Sequence, residues 1–83
     1  MIKVLYFAAI REQLGVGEEQ VAPESLATVS DLLELLRNRG GAYAEVLSPE
    51  RRVLVAVNQE YADDARSLSD GDEVALFPPV TGG

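Results

Sequence analysis

The chain has no cysteine and no histidine, and Lys3 is its only lysine. Without a thiol, disulfides, thiolate metal sites, iron–sulfur clusters and cysteine nucleophiles are all excluded, and without an imidazole the commonest general base and metal ligand is gone. Positive charge is also scarce. Seven basic residues face 14 acidic ones for a net charge of −7, so the surface repels phosphate backbones and anionic lipid, and neither nucleic acid nor membrane is an expected partner. No apolar run approaches the roughly 20 residues of a spanning helix. Met1 leads straight into a strand-like run with Lys3 inside it rather than a signal peptide, which predicts a cytoplasmic location. At 83 residues there is room for one domain, burying roughly 60 to 65% of its unfolded surface, too little for a deep active-site cavity. Most self-contained catalytic schemes are therefore excluded.

What is present is a compact α+β pattern, with 47% hydrophobic and 25% charged residues, as in a folded globular domain. Ile2 to Ala8 alternates Ile2, Val4 and Tyr6 against Lys3, Leu5 and Phe7, a strand with one face buried and the other partly covered. Ile10 to Leu14 reads as a helical turn closed by Gly15. Glu18 to Ala22 reads as a weaker strand in a hairpin with the first. Thr28 is a hydroxyl N-cap with Asp31 three residues on, a capping box with Asp in place of Glu. Val29, Leu32, Leu33 and Leu36 then form one apolar stripe. Arg37 and Arg39 suit the last turn of that helix, and Gly40-Gly41 is expected to stop it. Ala42 to Leu47 predicts a second short helix ending at Ser48-Pro49. Val53 to Val57 predicts an interior strand covered on both faces. Asn58-Gln59 marks a turn, Glu60 to Ala62 a short edge strand, and Asp70-Gly71-Asp72 a tight turn into a last strand, Glu73 to Phe77. The carboxylates at 63–64 and 70–73 read as turn chemistry, with no EF-hand spacing, so no metal is expected.

The chain closes on Phe77-Pro78-Pro79-Val80-Thr81-Gly82-Gly83. Two prolines fix φ near −65° and remove two amide donors, so the strand cannot continue and the end should leave the body extended. Gly82 and Gly83 carry no Cβ and fit a channel too narrow for side chains. A Gly-Gly ending alone is an ordinary terminus; here it coincides with a body that has no other plausible reactive group. The division expected is a domain over 1–77 and an extended tail over 78–83.

The order β, β, α, β, β, with the last strand able to lie beside the first, is the β-grasp pattern of ubiquitin-like proteins. Periodicity alone leaves a ferredoxin-like arrangement open. The segments 2–8 with Arg11-Glu12, Thr28-Val29, 55–59 and above all Asp70 to Gly83 carry a specific resemblance. The chain is similar to the small, sulfur-carrying subunits of molybdopterin synthase, a ubiquitin-like family of molybdenum-cofactor biosynthesis. Segments 15–24 and 37–52 carry little of that signal, and Leu76 stands where the family often has an aromatic residue.

The resemblance implies a carrier that binds no cofactor and works only as part of a heterotetramer with a large synthase subunit. An adenylating enzyme of the ubiquitin-activating type would use ATP to activate the Gly83 carboxylate, and a sulfur donor would convert it to a thiocarboxylate. The tail, Pro78, Pro79, Val80, Thr81 and Gly82, would thread into the large subunit, where the sulfur attacks cyclic pyranopterin monophosphate. Phe7, Tyr61 and Phe77 would meet both partners, with Arg11 as a charged contact. From the residues alone, core packing is as good a reading for Phe7 and Phe77 as an exposed patch, and Arg51-Arg52 reads as a solvated turn. Two other functions stay open: a related sulfur carrier for thiamine, tRNA thiolation or cysteine synthesis, and a ubiquitin-like binding module or lysine-linked modifier.

Overall fold

The computed structural model describes residues 1–24 and 26–79. In chain order these form β1 (Ile2–Tyr6), α1 (Ala8–Leu14), β2 (Glu18–Val21), α2 (Val29–Arg37), α3 (Gly41–Val46), β3 (Leu54–Val57), β4 (Glu60–Ala62) and β5 (Glu73–Phe77). The strands make one mixed sheet in the order β2-β1-β5-β3-β4. β1 and β5 run parallel at its centre, Val4 beside Val74 and Tyr6 beside Leu76, and every other pairing is antiparallel. This is the ubiquitin-like β-grasp arrangement expected from the sequence.

The core lies between the sheet and the helices. Ile2, Val4, Tyr6, Val55, Val57, Val74 and Leu76 point to one face and are almost wholly buried. Against them α2 sets Val29, Leu32, Leu33 and Leu36, each worth roughly 1.5 to 3 kcal/mol of transfer free energy when buried. Ile10 of α1 and Val46 and Leu47 at the end of α3 complete that layer. The capping box forms as expected: the Asp31 amide donates to Thr28 Oγ1 at 3.3 Å and the Thr28 amide donates to Asp31 Oδ2 at 3.1 Å.

Three expectations need correction. α2 ends at Arg37 with Asn38 as its C-cap, before the glycines rather than at them. Gly40, at φ 75° and ψ −170°, instead opens α3, a region of backbone space essentially closed to other residues. α1 begins at Ala8 rather than Ile10, with Gly15 its left-handed cap at φ 75°. β3 is interior, between β5 and β4, but only Val55 and Val57 are buried. Leu54 and Ala56 are half-buried, because every helix packs on the other side of the sheet; a continuous apolar run here marks a strand with two apolar faces and one cover.

The turns are fixed by their own polar groups. Asn58 and Gln59 both take positive φ, 51° and 70°, the geometry of a two-residue hairpin whose twist matches the strands. The Asn58 side chain then stitches this hairpin to the turn before β5, donating to Asp72 Oδ1 at 3.1 Å and accepting from the Glu73 amide at 3.0 Å. With the Ser69 amide also donating to Asp72 Oδ2, the Asp72 carboxyl is held below its ordinary range, first by that backbone donor and then by Asn58.

Candidate functional site

Strand alternation assigns the second face of the sheet. Across it run Leu5 of β1, Ala75 of β5 and Ala56 of β3 in register, with Tyr61 opposite Ala56 on β4. Two residues nearer the C-terminal end of β5, on the same face, Leu54 stands opposite Phe77. Among the described residues, no helix lies over this face. Ala56 and Ala75 form a low centre between larger neighbours, while Tyr61 is 78% exposed and its ring lies 5.9 Å from that of the half-buried Phe77. At the opposite end Lys3 pairs with Glu73 in register and sits 4.0 Å from Glu18, so a charged rim borders an apolar surface.

Phe7 belongs to the Phe77 end. Its amide donates to the Leu76 carbonyl at 3.1 Å, which ties its backbone to the last residues of β5, yet the side chain is 46% exposed. The even choice between core and surface therefore resolves to surface for Phe7, Phe77 being half-buried. Aromatic side chains left uncovered around a shallow apolar centre are the usual composition of a protein contact surface.

Arg11 projects from α1 at this end and is exposed. Its guanidinium lies against Gly17, where an added Cβ would sit 3.1 Å from Nε. Open depressions of about 510 and 490 Å³ flank it, one of them reaching Phe7 and Glu18. Pro78 and Pro79 follow Phe77 directly and are half-buried. The expectations placed on Val80, Thr81, Gly82 and Gly83 fall outside the described residues. Among the described residues, no helix is long and apolar enough to cross a membrane.

One polar cluster has almost no signal in the sequence. Glu19 of β2 faces the helices, and its carboxylate accepts from the Tyr6 hydroxyl at 2.8 Å and the Tyr43 hydroxyl at 3.0 Å while pairing with Arg39 at 2.6 Å. The Arg39 guanidinium also stacks 4.9 Å from the centre of the Tyr43 ring. Burial works to raise the Glu19 pKa, but the hydrogen bonds from Tyr6, Arg39 and Tyr43 outweigh it and hold the carboxyl below its ordinary 4.5. Burial, then the Glu19 contact, pushes the Tyr6 phenol far up. The group is fully paired and bears on packing, locking α3 to the outer strand. Its one signal in the sequence was Tyr6 itself, since a phenol on an inward face needs a partner. Arg39 lies beyond the helix whose end it was expected to stabilise and serves this cluster instead.

A mixed five-stranded sheet with helices on one side, a bare apolar face on the other and a Pro-Pro exit from the central strand defines a ubiquitin-like protein. The chain belongs to the ThiS family, whose model matches residues 4–83. It is 43% identical over 83 residues to the molybdopterin synthase sulfur carrier subunit of Escherichia coli strain K12, covering all of both chains. To the protein of the same description from Chlamydomonas reinhardtii it is 42% identical, covering 99% of this chain and 98% of the other. Among solved structures it is similar to small archaeal modifier protein 1 of Haloferax volcanii, with a TM-score of 0.78 and 31% identity over 99% of this chain and 98% of that one.

Proposed function

We propose that this chain is the sulfur carrier of a molybdopterin synthase, with residues 1–77 as the body and 78–83 as the delivering arm. The observation that carries the reading is the apolar open face, bounded by Phe7, Tyr61 and Phe77, meeting the root of a Pro-Pro tail that ends in Gly82-Gly83. A chain with no thiol or imidazole has its one useful reactive group at that end.

A carboxylate is a poor electrophile because its charge is delocalised and an oxide would have to leave. Attack of the Gly83 carboxylate on the α-phosphate of ATP, held by an adenylating partner, expels pyrophosphate and leaves an acyl adenylate. A donor of sulfide-level sulfur then adds to the acyl carbon, AMP departs as the leaving group, and the terminus becomes a thiocarboxylate. Its sulfur is the better nucleophile, as thiolate chemistry leads one to expect. In the large subunit that sulfur attacks the cyclic pyranopterin monophosphate to give a thioester-linked intermediate. Water then cleaves the acyl C–S bond, leaving the sulfur on the pterin and restoring the Gly83 carboxylate, and two carriers used in turn supply the two dithiolene sulfurs. Acid–base and oxyanion functions belong to the partners.

Pro78 and Pro79 lower the cost of threading, since ordering a free residue costs about 1 to 2 kcal/mol and a proline is already restricted. Phe7, Tyr61, Phe77 and Arg11 form the surface that both partners hold in turn. The reading places the chain in the cytoplasm. Reconstitution with the large subunit and its pterin substrate tests the assignment. The thiocarboxylated carrier should yield the dithiolene product, and a carrier lacking Gly83 should fold normally and yield none. A thiocarboxylated carrier that gives no product would reject the pathway.

The likeness to a small archaeal modifier favours one second reading, an isopeptide modifier. In a cell extract that reading requires lysine adducts ending at Gly83, whereas the carrier reading requires none.

A further inference from the structure

A second feature lies at the tail root, on the opposite side of the sheet from the apolar face. Leu54 stands opposite Phe77, so Val53 and Pro78 are the next positions outward on the two strands, and alternation turns Val53 toward the helices. Here a cleft of about 320 Å³ is lined by Arg37, Arg51, Arg52 and Asp64, with Leu33 and Val53 in its apolar wall. Half of the six arginines thus meet at one cleft in a protein of net charge −7.

Two of the three are anchored. Arg37 Nε donates to the Leu47 carbonyl. Arg51 donates to Gln13 Oε1 at 3.1 Å and lies 3.7 Å from Glu45. Arg52 is exposed, and among the described residues no ion pair or side-chain hydrogen bond engages it. The cleft is therefore lined by three arginines and one carboxylate, Asp64, with Glu45 a second carboxylate on Arg51 from outside the lining and the Arg52 fork open.

We propose that this cleft is a second docking subsite, taking carboxylate side chains of the large synthase subunit, so that the partner holds the tail root from both sides of the sheet. The proposal rests on the functional reading above. Guanidinium forks match carboxylates in geometry as well as charge. A nucleotide or pterin phosphate is the wrong occupant. Five residues, Pro79 to Gly83, separate Pro78 from the chain end; threaded and extended they reach roughly 17 Å. The reacting centre then lies well beyond an arginine rooted beside Val53, and an anion in the cleft must belong to the body of the partner.

The test compares Arg52→Glu and Arg52→Lys with the wild-type carrier, all thiocarboxylated, for affinity to the large subunit at low and moderate salt and for sulfur transfer at saturation. Arg52→Glu should bind about tenfold more weakly at low salt, with the gap closing as salt rises. Arg52→Lys should stay within about threefold, since it keeps the charge and loses the fork. Maximal transfer rate and thermal midpoint should not change for either. Low-salt binding of Arg52→Glu within about twofold of wild type would overturn the subsite while leaving the carrier function standing. Inorganic phosphate that shifts the Arg52 side-chain resonance and displaces the large subunit with equal effect on wild type and Arg52→Lys would overturn it in favour of a small-anion site. Wild-type carrier that fails to bind the large subunit at all would remove both the subsite and the reading beneath it.

Discussion

Leu76 and Phe77 are neighbours in β5 and point to opposite faces of one sheet. Leu76 is wholly buried beneath the helices, while Phe77 is half-buried on the open face, its ring against the exposed Tyr61. Both faces are built from apolar side chains by the same two-residue alternation, and among the described residues only one is covered by the chain itself. A sheet that needed only to fold could have placed polar residues on its outer face, as antiparallel sheets commonly do. On the proposed function, Leu5, Leu54, Ala56, Ala75 and Phe77 remain apolar there because that face is kept for a partner, whereas the inner face is spent on stability.

Substitution separates the two faces. Leu76→Ala should cost about 2 to 5 kcal/mol through lost burial and the cavity left behind, read from urea unfolding; a cost similar to that of Phe77→Ala would break the contrast. Glu19→Gln, on the covered side, should cost about 1 to 3 kcal/mol at pH 7 by weakening charge-assisted bonds to two phenols and Arg39. Because the folded-state pKa of Glu19 lies below the ordinary 4.5, its contribution is complete above that value and is lost as pH falls through the depressed folded value. The gap between variant and wild type should therefore narrow in acid, as urea midpoints at neutral and acid pH would show. Thr28→Ala should remove the cap of α2 at a cost of about 1 kcal/mol, with no effect on partner affinity. Tyr61→Ala, at the far extreme, should shift stability by less than about 0.5 kcal/mol yet weaken partner binding about tenfold or more, measured by calorimetry on the same preparation. A Tyr61 variant that binds normally would leave the open face without its purpose.

Most of the fold was legible because its signals are local. The capping box at Thr28 and Asp31, the stripe of Val29, Leu32, Leu33 and Leu36, and the turn at Asn58-Gln59 each declare themselves within a few residues. The exposure of Tyr61 follows from a short edge strand for the same reason. The end of α2 was misjudged because glycine is a strong stop and Asn38 a weak one, and helix ends respond to what lies beyond them. Tertiary pairing stayed out of reach. Nothing near Glu19 in sequence announces Tyr6, Arg39 and Tyr43, which come from three other parts of the chain. Arg51 and Arg52 are exposed outside any helix or strand, as their sequence suggests, but that Arg37 shares a cleft with them depends on tertiary packing no local signal carries. That β3 has only one covered face could not be read from its own composition, since coverage is a property of where the helices go.

The central claim is that the body exists to present the Gly83 carboxylate for sulfur loading, and intact-mass measurement tests it most directly. After incubation with the adenylating enzyme, ATP and a sulfur donor, the wild-type chain should show replacement of one oxygen by sulfur, located to Gly83 by fragmentation and absent when ATP is withheld. A chain that binds the activating enzyme through its open face but leaves with its mass unchanged would contradict the account.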